Sequence, residues 1–174
     1  GLNPAIQAAS DLGENTSKIE VIFGDAGRAV TDFAKTAARD IGQSQNQVLA
    51  AAGTFGTFGK AAGLAGDQLA TFTTDFITLS ADLASFNNAT PDEAINAIGA
   101  ALRGEAEPLR RFGVLLNDAT LKSAALELGI YSGSGALTAQ QKILAAQKVI
   151  YEQTGDAQGD FERTSDGLAN QQRI

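Results

Sequence analysis

The sequence predicts an all-α chain: multiple short-to-medium helices joined by Gly-, Asp- and Thr-capped turns, arranged as a helical bundle or a folded-back helical array. Three observations carry that expectation. Apolar residues recur at spacings of three and four along most of the 174 residues, the period of a helix buried on one face. Ser44 with Gln47, Thr90 with Glu93 and Thr138 with Gln141 each stand ahead of such a stretch and read as capping boxes. No alternating run is long enough for a strand; Ile19–Phe23 and Val114–Leu116 read better as buried helix or turn.

In chain order, Asn3–Leu12 suggests a short helix with Pro4 in its first turn and Gly13 past its end. From Ser17 onward Ile19, Ile22 and Phe23 share a face, and Gly24-Asp25 reads as a stop followed by an N-cap. A helix over about 26–40 then aligns Val30, Phe33, Ala34, Ala37 and Ile41, and Gly42 closes it. The capping box at Ser44 opens the next helix through Val48 and Leu49.

Val48–Gly66 is ambiguous. Gly53, Gly56, Gly59, Gly63 and Gly66 interrupt it, and each glycine in a helix costs about 1 kcal/mol relative to alanine. A flexible connector or loosely helical pair is the first reading, and close helix–helix contact through small residues the second. A membrane-active segment is the third, on small-residue spacing and weak apolarity.

Asp67 starts the cleanest helix. Leu69, Phe72, Phe76, Leu79, Leu83 and Phe86 form a seam at alternating three- and four-residue steps, suited either to in-chain core or to self-association. Its length falls short of a sustained coiled coil. After Asn87-Asn88, Thr90-Pro91 restarts a helix carrying Ala94, Ile95, Ile98 and Leu102.

Gly99–Asn117, GAALRGEAEPLRRFGVLLN, is the corner on which the chain is organised. Gly104 closes one helix, and Pro108 with Glu105 and Glu107 begins another. Glu107 and Arg111 stand four apart, the spacing of a helical ion pair. Phe112, Val114, Leu115 and Leu116 supply an apolar surface, with a bend at Gly113. Asn117 or Asp118 then caps a helix bearing Leu121, Ala124, Ala125 and Leu128, which Gly129 ends. Tyr131–Gly135 is a loop. Thr138 opens a helix through Ile143, Leu144, Ala146 and Ile150, and Gly155-Asp156 and Gly159-Asp160 punctuate the chain before a last helix with Phe161 and Leu168. Two domains are expected: residues 1–66, N-terminal helices with a glycine-rich connector, and residues 67–174, a helical core containing the corner. The chain reads as a fragment of something longer.

Composition narrows function more by exclusion than by indication. Thirteen basic against twenty acidic residues give a net charge of −7, which argues against specific nucleic-acid binding. Histidine and cysteine are both absent, removing zinc sites and Ser–His or Cys–His nucleophilic machinery from this stretch. Carboxylate-only chemistry stays formally open, but Glu105 and Glu107 have no evident partner to raise a pKa. No phosphate-binding glycine loop occurs. Asp156, Asp160, Glu162 and Asp166 lack the ligand spacing of a calcium loop. No catalytic residue, metal or cofactor is expected.

The run ALRGEAEPLRRFGVLL, with LKSAALELGIYSGSGALTAQQKILAAQKVIYEQTGDAQGDFERTSDGLANQQRI downstream, closely resembles the core region of phage tail tape measure proteins. The upstream run FITLSADLASFNNATPDEAINAIGAAL is similar to the same family. A weaker likeness reaches back to about Ser17, and the match is densest over Phe76–Ile174. The resemblance implies a non-enzymatic structural virion protein inside the tail tube, present in the host cytoplasm during assembly. It would set tube length and leave during genome ejection. Implied partners are the tube protein, tail assembly chaperones, tail-tip proteins and copies of itself as a trimer. Frequent glycines and short capped helices are poor material for a straight rod, so a folded-back region is expected rather than the repetitive ruler. Two alternatives stay open: a membrane-perturbing segment at Val48–Gly66, and a non-catalytic part of a cell-wall-degrading tail protein.

Overall fold

The computed structural model describes residues 3–173, with side chains described through Asp166. Eight α-helices follow one another, and no strand is present among the described residues. They are α1 (Pro4–Phe23), α2 (Gly27–Asp40), α3 (Gln45–Ala61), α4 (Gly66–Phe86), α5 (Pro91–Leu102), α6 (Asp118–Glu127), α7 (Ala139–Gln153) and α8 (Asp160–Arg173). Short 3-10 helices occupy Gly24–Ala26 and Glu107–Phe112. The chain divides into two units, residues 1–60 with 64–78, and residues 61–63 with 79–174.

The first unit is assembled around α3. Val48, Leu49, Ala51, Ala52, Phe55, Gly56 and Gly59 of this helix are all buried, as expected of a helix covered on more than one side. Val48–Gly66 is therefore not a flexible connector: α3 runs unbroken through Gly53, Gly56 and Gly59 to Ala61. Three of the five glycines are helical, and at two of them a neighbouring helix occupies the space a side chain would need. A Cβ on Gly56 would stand 2.6 Å from Phe23 Cζ and 2.9 Å from Ile22 Cγ2 of α1. One on Gly59 would stand 2.5 Å from Leu69 Cδ1 and 3.0 Å from Phe72 Cδ1 of α4. Gly63 (φ +87°) and Gly66 (φ +58°) turn the chain afterwards. No described helix is long and apolar enough to cross a membrane.

The first helix also departs from expectation. Gly13 does not end it; α1 continues to Phe23, burying Ile19 and Phe23. That burial outweighs the propensity cost of one glycine. Asp25 does not cap α2 either. It lies in a 3-10 turn, and the residue preceding α2, Ala26, makes no side-chain cap. The face Val30, Ala34, Ala37 and Ile41 is buried as the spacing predicts, with Phe33 half-buried. Gly42 (φ +68°) closes α2, and the Gln43 amide donates to Ala37 O at 3.2 Å. Ser44 and Gln47 form the expected reciprocal box, at 3.1 and 3.3 Å. Phe76 completes the core, 5.6 Å between ring centroids from Phe55 and edge-on to Phe72 at 5.0 Å.

The second unit is built on α5, whose Ala94, Ile95 and Ala97–Leu102 are buried, with Leu109, Phe112, Val114, Ile143 and Ile150 in the same core set. A satellite core joins α6 to α7 through Ala124, Ala125, Leu137, Ala145 and Val149. Three helices here start as expected, on Thr90, Asn117 and Thr138, and the last two caps are reciprocal boxes. In α6 the apolar stripe is only partly covered: Leu128 is 44% exposed at its C-terminal end. Thr154 and Ala157 are buried in the turn before α8. Phe161 is half-buried, and the side chain of Leu168 lies outside the described residues.

Candidate functional site

Five of the six seam residues are buried within this one chain: Leu69, Phe72, Phe76, Leu79 and Leu83 are at most 2% exposed. Phe86, at the last turn of α4, is 52% exposed. The first three belong to the first unit and the other three to the second.

The corner takes a different form from the expected second α-helix. Gly104 (φ +100°) ends α5 as anticipated, with the Glu105 amide donating to Ala100 O at 2.8 Å. Pro108 then lies in the first turn of a six-residue 3-10 helix, stopped by Gly113 at φ +83°. Three residues per turn bring i and i+3 together instead of i and i+4. Glu107 accordingly meets Arg110 at 3.3 Å, and the expected Glu107–Arg111 pair does not form. Arg111 swings to Glu93 of α5 at 2.6 Å and lies against the Phe112 ring, 5.1 Å from its centroid. Its hydrogen bond, with a second from Thr90, holds the Glu93 carboxyl below the usual glutamate range. Arg103 pairs with Glu105 at 3.9 Å. Each arginine of the corner thus faces a carboxylate, an arrangement that disfavours phosphate. Beyond it, the Gln153 side chain accepts from Leu115 N at 2.7 Å and donates to Leu115 O at 3.3 Å, pinning the extended segment to α7.

A further cluster was not legible as a site. Asp82 of α4, 7% exposed, accepts from the backbone amides of Gly159 at 2.9 Å and Phe161 at 3.1 Å. Ser85, one turn on, donates to Asp160 at 2.7 Å. Arg163 folds back onto the carbonyls of Gln158 and Asp156. The residue preceding α8, Gly159, has no side chain to cap with, so the cap comes from α4. Two signals existed in sequence: a carboxylate directly beside Leu83 in the seam, and a helix start lacking its own capping side chain.

In the first unit a cleft of about 430 Å³ is lined by Thr16, Glu20, Asp25, Arg28, Lys35 and Gln45, among others. Its charges are mixed, and Arg28 and Lys35 both approach Asp32, at 4.0 and 3.8 Å. Asp75 on α4 is raised above the ordinary aspartate range by desolvation. Among the described residues no three acidic side chains converge to hold a metal ion. Acidic residues of the corner are engaged in ion pairs, and the most buried carboxylate, Asp82, is spent on backbone amides. Compared with protein-family models, curated proteins and solved structures, the chain matches none.

Proposed function

We propose that this chain is a folded helical region of a tail tape measure protein, a structural component that sets tube length and leaves the tube at genome ejection. The observation that carries the reading is the long run centred on ALRGEAEPLRRFGVLL, which resembles the core region of that family. Two properties are compatible with it. The chain is all-α, and its net charge of −7 repels the phosphates of DNA that must later pass through the same channel. The tube protein, assembly chaperones, tail-tip proteins and further copies of the parent chain are its proposed partners. No observation favours the membrane-perturbing or cell-wall-degrading alternatives over it.

The test is an in-frame deletion of these residues in the genome that encodes them, followed by electron microscopy of the particles. The reading predicts shortened, misassembled or absent tails. Particles with tails of unchanged length and infectivity would overturn it. The size of any shortening is informative in itself. A straight helix advances about 1.5 Å per residue, roughly 260 Å for a segment this long, and a folded-back region shortens the tail by much less.

A further inference from the structure

We infer that α8 is a clamped arm, fixed in direction by the Asp82–Ser85 latch on α4 and able to swing about Gly159 without unfolding of the α4–α7 core. The inference is independent of the tape measure reading. Among the described residues, long-range hydrogen bonds to α8 converge on its start: Asp82 takes the amides of Gly159 and Phe161, and Ser85 donates to Asp160. Past that turn, Glu162 through Asp166 are exposed. The turn on the other side of the pivot is anchored separately. Ala157 and Thr154 are buried, Thr154 Oγ1 donates to Ile150 O at 2.7 Å, and Gln158 Nε2 donates to Tyr151 O at 2.8 Å. Gly159 between them, at φ +86°, has the backbone freedom of a pivot.

The latch is a single charge facing the positive end of a helix. No lysine or arginine pairs with Asp82 among the described residues; its two bonds are both to backbone amides. The carboxylate has given up most of its hydration to make them, and that lost hydration opposes the two charge-assisted bonds. Such a balance closes the arm while leaving it releasable. Arg163 also reaches across the pivot to the Gln158 and Asp156 carbonyls; neutralising Asp82 removes the charge that holds the arm to α4 and widens its swing.

The experiment is amide hydrogen exchange by NMR on the whole chain, comparing the native protein with Asp82→Asn. The asparagine keeps the shape but removes the charge and one acceptor oxygen. Exchange at Gly159 and Phe161 is expected to accelerate at least tenfold, while Ile98 of α5 and Val149 of α7 stay within twofold. Equal acceleration at all four positions would mean that the latch is ordinary core and the arm does not open alone. Unchanged exchange at Gly159 and Phe161 would mean that Asp82 clamps nothing; either result overturns the inference. Should Asp82→Asn fail to fold, Ser85→Ala removes only the outer bond. Spin labels at Lys142→Cys and Thr164→Cys, in a chain with no cysteine of its own, then report direction. The native protein is expected to give one narrow distance and Ser85→Ala a broader one, and identical distributions would overturn the proposal.

Discussion

The two units hold their helices together by different means. In the first, α3 is drawn against α1 and α4 by the absence of side chains: Gly56 admits Phe23 and Ile22, and Gly59 admits Leu69 and Phe72. Side chains cap helices in both units, Ser44 at α3 among them, but in the second such a cap also ties one helix to another. Asn117 and Thr138 cap α6 and α7 with reciprocal boxes, and Asp82 caps α8 from across the fold. The contrast teaches that glycine in a helix has two opposite meanings. One with open space around it only weakens the helix, whereas one beneath a neighbouring ring is a packing residue.

The strongest way to break the comparison is to fill the first unit's contact. Gly56→Leu is expected to cost about 3 kcal/mol through overpacking, read from urea denaturation. Gly56→Ala is expected to cost less, because improved helix propensity offsets part of the clash. A neutral Gly56→Leu would show that α1 and α3 do not meet as described. Next, Asn117→Ala and Thr138→Ala should each destabilise by about 1 kcal/mol through loss of a cap, with local exchange rising first at the start of α6 or α7. Ser44→Ala, at the box that opens α3 in the first unit, should cost about as much, and no loss of stability at any of the three would show that its cap is not made in solution. The comparison is sharpened by Gly13→Ala. Nothing lies within 4 Å of the Cβ it would add, so a gain of about 0.5–1 kcal/mol is expected. Opposite signs at Gly13 and Gly56 separate the two kinds of glycine in one assay.

The smallest expected effect concerns pH. Because Arg111 holds Glu93 below its ordinary range, the pair's contribution to stability is present above the unfolded-state pKa. It fades as pH falls through the lower folded-state value. Both groups are solvent-exposed at the surface, so carboxyl-detected NMR titration is the suitable readout rather than melting. Arg111→Ala should return Glu93 to the usual glutamate range, and an unmoved titration would show that the ion pair is not made in solution.

Legibility from sequence followed the locality of the cause. Ser44, Thr90, Asn117 and Thr138 act on residues within one turn, so their caps were visible as short patterns. The buried face of α2 was equally visible, because its period depends on one helix alone. Val48–Gly66 stays ambiguous between a connector or loose helical pair and close helix contact for the converse reason: whether a glycine loosens or packs depends on Phe23, Ile22, Leu69 and Phe72, two of which are more than thirty residues away. One ion pair of the corner differs from the expected one because 3 residues per turn replace 3.6: Glu107 meets Arg110 instead of Arg111. Asp82 was missed because its partners, Gly159 and Phe161, stand nearly eighty positions on and offer only backbone.

The most direct single measurement is the solution mass of the chain by light scattering after size exclusion. With Leu69, Phe72, Phe76, Leu79 and Leu83 covered within one chain, the account predicts a monomer of 17.9 kDa across micromolar concentrations. A stable species of three times that mass, lost on Leu79→Asp, would contradict it. The seam would then belong to contacts between copies, and the region to the packed bundle rather than to a folded module.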